Sequence, residues 1–165
     1  MEERWKPVKD FPGYEVSSYG RVRSETSGRI LAPSENQYGV LQIGMMKEGT
    51  QMHRSVPLLV ARSFLPRKFG AFDTPINLDG DRWNNHVENL VWRPRWFAVK
   101  YNHQFRVAPY KSIEQPIEDI ETGLVSENTL DAAMTYGLLE EDLVESIEYN
   151  TFVWPTYQRF RLVEL

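Results

Sequence analysis

Between Ile76 and Trp92 the chain reads Ile-Asn-Leu-Asp-Gly-Asp-Arg-Trp-Asn-Asn-His-Val-Glu-Asn-Leu-Val-Trp, and no other stretch restricts the fold so much. Asp79-Gly80 is a turn signal behind a strand-like run that is expected to end near Leu78.

The flanking sequence also reads as small elements. Tyr14–Ser24 alternates apolar and polar residues around Ser-Ser-Tyr-Gly, a β-hairpin pattern. Strand-like runs follow at Arg29–Ala32 and Gly39–Met46. Val56–Pro66 predicts a helix whose first turn holds Pro57, where the missing N–H costs nothing. Arg93, Arg95, Lys100, Arg106 and Lys111 are interleaved with Trp96, Phe97, Tyr101 and Phe105. That stretch suits phosphate contact, or equally an amphipathic helix whose aromatics are core. Helices are expected at about Thr129–Tyr136 and Glu140–Glu148, with Gly137 turning between them and a strand near Gln158–Val163. The fold class is thus α+β, an elongated string of small modules rather than one large sheet. The divisions fall at 1–52, 53–92, 93–114 and 115–165.

Charge separates the chain further. Residues 1–110 carry 16 Lys and Arg against 11 Asp and Glu, whereas residues 111–165 carry 3 against 12. The basic part is the candidate for nucleic acid, the acidic part for another task. There is no cysteine, which excludes disulfides, thiolate metal sites and cysteine nucleophiles. No apolar run reaches membrane-spanning length and the first residues lack signal-peptide character, so a cytoplasmic location is expected.

The segment 76–92 resembles the core motif of phage HNH homing endonucleases, N-H-I-D-G-x-x-x-N-N-x-x-x-N-L-x-W. Asp79-Gly80, Asn84-Asn85, Asn89-Leu90 and Trp92 fall in register, which implies an HNH-like ββα core with a turn at Asp79-Gly80, a helix entered through Asn84-Asn85 and Trp92 plugging its interior. Residues 5–24 resemble the NUMOD-type DNA-binding module found ahead of such domains, through Trp5, Gly13, Tyr14–Ser17 and Gly20–Ser24. His53–Pro66 is similar to the family's H-R-x-V-A-x-A-F-x-P helix. Residues 115–165 resemble its C-terminal helix-turn-helix module, with Asp131-Ala132-Ala133 matching E-A-A.

The resemblance implies double-stranded DNA as partner and a metal-assisted phosphodiester cleavage. It also puts that cleavage in doubt. The family's general-base histidine maps to Asn77, whose amide takes no proton near neutral pH. The metal-ligand positions map to Ile76 and Ala98, which have no donor atom, while the orienting Asn maps to Asn89. Asp79, Asp81 and His86 are fallback candidates for a metal centre, and only an active nickase would need Mg²⁺. The expected DNA contacts are Arg21, Arg23, Arg54, Arg93, Arg95 and Lys100. Arg21 and Arg23, two residues apart, should share a strand face, although solvated arginines are also common on strand edges. His53 matches a family position, and His103 is a lone residue.

The second C-terminal helix buries Leu139, Leu143, Val144 and Ile147 and turns Glu141, Glu145 and Glu148 outward. Phosphate repels such a face, so protein binding is the alternative task for 115–165. Three readings follow: a degenerate DNA-binding protein repurposed, for example, for transcriptional regulation; an active Mg²⁺-dependent nickase; and a protein-interaction factor.

Overall fold

The computed structural model describes residues 2–107 and 112–164. Lys111 and the end of the basic stretch beyond Val107 therefore lie outside the described residues. The class is mixed α+β, with several small antiparallel sheets and, among the described residues, four α-helices. Two compact units divide the chain, Met1–Ala98 and Val99–Leu165.

In the first unit, β1 (Trp5–Pro7), β2 (Tyr14–Ser17) and β3 (Val22–Ser24) form one antiparallel sheet in sequence order. The β2–β3 turn is the expected hairpin, and Gly20 sits at φ +82° in it. A Cβ there would lie 2.9 Å from Asn85 Cβ, so glycine is required both by conformation and by the close approach of the loop 78–89. A second sheet holds β4 (Ser34–Glu35), β5 (Leu41–Lys47) and β6 (Thr50–Ser55). The run Arg29–Ala32 is not the strand expected: Ile30 makes a single bridge to Arg23. Gly28 turns the chain at φ +67° just before it, and Pro33 just after it has no N–H for a ladder.

Helix α1 (Val56–Phe64) starts where Pro57 predicts, capped by Ser55, whose hydroxyl accepts from the Leu58 amide. Its Val56, Leu59 and Val60 join Val8, Phe11, Val16, Val22, Ile43, Met45, Val87 and Leu90 in one core. Residues from 8 to 90 thus share a single apolar interior.

The segment after Leu78 departs from expectation. Strand β7 (Thr74–Asn77) pairs antiparallel with β8 (Leu90–Arg93), and no α-helix begins at Asn84. Only a 3-10 turn, Val87–Asn89, interrupts the loop. The Asn and Asp side chains bond local backbone groups and displace helical bonds. The helix follows instead at α2 (Arg95–Gln104), where Phe97 and Tyr101 are buried and Trp96 is exposed.

In the second unit, β9 (Ile117–Asp119) is flanked by β10 (Val125–Ser126) and β11 (Phe160–Leu162). Helix α3 (Thr129–Tyr136) ends at Gly137 in the left-handed region, and α4 (Glu140–Tyr149) follows. Ala132, Ala133, Leu138, Leu143, Val153 and Phe160 close a core over Ile117. Among the described residues no helix is long and apolar enough to cross a membrane.

Candidate functional site

The loop joining β7 to β8 is held by amides. Asn77, 5% exposed, donates its Nδ2 to the Asn84 carbonyl at 2.8 Å and to Asn85 Oδ1 at 3.0 Å. Asn89 Nδ2 donates to that same Asn84 carbonyl at 2.8 Å and to Asp79 Oδ1 at 2.8 Å, while its Oδ1 accepts from the Asp79 amide. Asp79 also takes the Asp81 amide on Oδ1 and Asn84 Nδ2 on Oδ2. This network has a structural product: it fixes a loop that has little regular secondary structure of its own.

The chain's first hairpin seats the loop. The Val87 amide donates to the Ser18 carbonyl at 2.8 Å, and Tyr19 stacks on His86 with ring centroids 4.5 Å apart. His86 is thus no exposed helical residue: it caps the 3-10 turn, its Nδ1 accepting from the Glu88 amide. Asp81 Oδ1 accepts from the Trp83 amide. Asn84, His86, Glu88 and Asn89 border an open depression of about 390 Å³.

The positions that the resemblance assigns to metal ligands hold buried apolar side chains. Ile76 is 1% exposed and Ala98 on α2 is 4% exposed, both part of the apolar interior. Neither has a donor atom, and the neighbouring Asn77 amide is committed to Asn84 and Asn85. Asp79, Asp81 and His86 each serve the loop backbone, and among the described residues no group of three or more His, Asp or Glu converges as a cation site. The residues present do not fit the hard-cation centre that the resemblance implies.

The expected arginines fall into three kinds. Arg21 and Arg23 do share a face, that of the Trp5 ring, which they approach at 5.8 and 4.1 Å. Both are paired with carboxylates: Arg21 with Glu3 through two hydrogen bonds, Arg23 with Glu15 at 2.7 Å. The Arg21 guanidinium holds the Glu3 carboxyl below its ordinary range. Arg93 is buried, its Nη1 donating to the Trp92 carbonyl and its guanidinium lying over Phe97. Arg95 and Lys100 are exposed on α2, and Lys100 acts favourably on the Asp142 carboxylate.

Arg54 belongs to a different setting. With Lys6, Lys9, Arg62 and Arg67 it lines a groove of about 620 Å³ floored by Phe11, Val8 and Leu59, where Asp10 is the one acidic lining residue. The sequence reading missed four of these five cations. They come from the end of β1, from α1 and from the loop behind it, so only the folded chain unites them.

In the second unit Glu141, Glu145 and Glu148 are exposed on α4, as expected, but Glu140 is 9% exposed and accepts from Thr129 Oγ1 at 2.7 Å. Burial and the like charges of Glu141 and Glu145 raise the Asp142 carboxyl. Asp119, 1% exposed, accepts from Thr122, Tyr136 and Gln158 side chains at 2.7 to 2.8 Å and from the Glu121 amide. Burial alone would push its carboxyl up; the four donors outweigh that and hold it below the usual value.

Comparison with known proteins places this geometry. Residues 3–45 match the family described as the NUMOD4 motif. The uncharacterized HNH endonuclease L245 of Acanthamoeba polyphaga mimivirus is 34% identical over 94 residues, 56% of this chain and 27% of that protein. The uncharacterized HNH endonuclease L247 of the same virus is 30% identical over 89 residues, 54% of this chain and 22% of that protein. The chain therefore spans about a quarter of the length of these relatives. The solved structure of the HNH homing endonuclease I-HmuI, a study of its DNA binding and cleavage, superposes over 100% of this chain and 99% of that one. Its TM-score is 0.54 at 24% identity, a likeness of fold. Residues 3–45 thus match the NUMOD4 motif, about half of the chain is similar to proteins described as HNH endonucleases, and the fold is like that of I-HmuI.

Proposed function

We propose that the protein binds double-stranded DNA through its first unit without cutting it. The observation that carries this reading is the state of the β7–α2 centre. Ile76 and Ala98 are apolar and buried where metal ligands are expected, and Asn77, in place of a general base, is spent on Asn84 and Asn85. A histidine base would need a free ring nitrogen facing an activated water, and no group at position 77 can take that proton. Asn89, mapped to the orienting role, bonds Asp79 and the Asn84 carbonyl instead. Kinship to proteins described as HNH endonucleases, and the excess of cations over carboxylates in residues 1–110, support DNA as the partner.

Arg21, Arg23, Arg54 and Arg95 are the proposed contacts; buried Arg93 supports the β8–α2 corner from within, and Lys100 falls in the second unit, near Asp142. A protein that has lost cleavage and kept a site can occupy it, and control of transcription at that site is the role this proposal carries. Anisotropy titration with duplex DNA at rising salt tests the binding. Affinity should fall steeply and linearly in log–log form as counterions return to the phosphates. A flat response would end the DNA reading.

The exposed Glu141, Glu145 and Glu148 support a second, compatible reading, in which the second unit holds a basic protein surface. Glu141→Lys with Glu145→Lys should abolish such capture and leave duplex affinity no weaker than before. The remaining alternative is an active nickase built on Asp79, Asp81 and His86. Both carboxylate oxygens of Asp79 already accept loop hydrogen bonds, so that centre would compete with the loop's own network for this ligand.

A further inference from the structure

We infer that the groove between the end of β1 and helix α1 is a binding site for consecutive phosphates, the backbone of a nucleic acid strand. This inference rests on the DNA-binding reading for its ligand, and on separate residues for its evidence. Lys6, Lys9, Arg54, Arg62 and Arg67 line about 620 Å³ of groove with a single carboxylate, Asp10, among them.

Three of the five are held by carbonyls and ring faces rather than by acids. Lys6 donates to the Ser63 carbonyl at 3.0 Å and lies 4.9 Å over the Phe64 ring. Arg54 donates to the His53 carbonyl and lies 5.0 Å over Phe11, and Arg67 donates to the Gly70 carbonyl at 2.7 Å. Carbonyls and ring faces orient a cation without neutralising it. Elsewhere the arginines Arg21, Arg23, Arg159 and Arg161 each face a carboxylate within 3.2 Å. Among the described residues no ion pair joins any of the five groove cations to an acid. Asp10 is the one lining carboxylate that offsets their mutual repulsion in the free protein, a cost that a polyanion reverses further. Five cations on one groove of about 620 Å³ are more than a single compact anion needs, which favours the successive phosphates of a nucleic acid strand.

The test uses the full chain, the double variant Lys9→Ala/Arg62→Ala and a charge-matched control, Arg29→Ala/Arg161→Ala. All four side chains are exposed, so the fold is spared. Calorimetry with inorganic tripolyphosphate reads the groove itself, and duplex DNA anisotropy reads its use. The expected result is roughly tenfold weaker tripolyphosphate binding in the groove variant only, with the DNA salt slope reduced by about 2. Equal tripolyphosphate binding by the parent and the groove variant overturns the site. So does unchanged DNA affinity in that variant while the parent binds DNA. Tripolyphosphate bound through the groove without any DNA binding leaves the site standing and removes the DNA reading. Binding of neither ligand overturns both.

Discussion

Replacing Asn77 by alanine separates a structural amide from a catalytic one. Its Nδ2 donates two hydrogen bonds, to the Asn84 carbonyl and to Asn85 Oδ1. Each contributes about 1 kcal/mol net. The Asn84 carbonyl would keep its second donor, Asn89, at 2.8 Å. Asn85 Oδ1 would not: the residue is 3% exposed, and a stranded buried acceptor costs about 1 kcal/mol or more. The sum is a loss of about 2–3 kcal/mol. Asn77→Asp should cost more still, because a carboxylate would face two oxygens and could donate to neither. Urea unfolding followed by tryptophan fluorescence measures this, with the slope unchanged and the midpoint lowered. A loss under about 0.5 kcal/mol for Asn77→Ala would refute the claim that this residue is committed to the loop.

Three further outcomes are expected. Gly20→Ala combines a positive φ with a Cβ 2.9 Å from Asn85 Cβ, so it should destabilise the first unit by about 2 kcal/mol or more, read in the same unfolding assay. Because the Asp119 carboxyl lies below its unfolded value of 3.8, it contributes stability that is complete above that value and is lost as pH falls through the folded one; Asp119→Ala should flatten this acid limb in an unfolding series across pH 2 to 5. Glu3→Gln with Glu15→Gln releases Arg21 and Arg23 from their carboxylates and should tighten duplex binding several-fold at low salt; weaker binding would show that the pairs pre-orient the arginines instead.

The sequence was most legible where local chemistry decides structure. The β2–β3 hairpin follows from Gly20, the start of α1 from Ser55 and Pro57, and the α3–α4 turn from Gly137. The failure at Asn84-Asn85 has the same root: side chains able to cap a helix were drawn into a network with Asn77, Asp79 and Asn89, which no local pattern specifies. The Arg23–Glu15 pair was recoverable, since the two residues stand opposite each other in the hairpin register. The Arg21–Glu3 pair and the groove of Lys6, Lys9, Arg54, Arg62 and Arg67 were not, because their members are brought together by tertiary packing alone. Ile76 and Ala98 were singled out by the resemblance, and their burial is what the fold adds.

The central claim is that the protein holds duplex DNA and leaves it intact. The direct measurement is one incubation of the purified full chain with supercoiled DNA of its source genome, with and without Mg²⁺ or Mn²⁺, scored together for retarded mobility and for nicks. A shift with no metal-dependent nicking is the predicted result. Nicks that EDTA abolishes, and that Asp79→Ala or His86→Ala removes, would contradict it and place a working centre in the 78–89 loop.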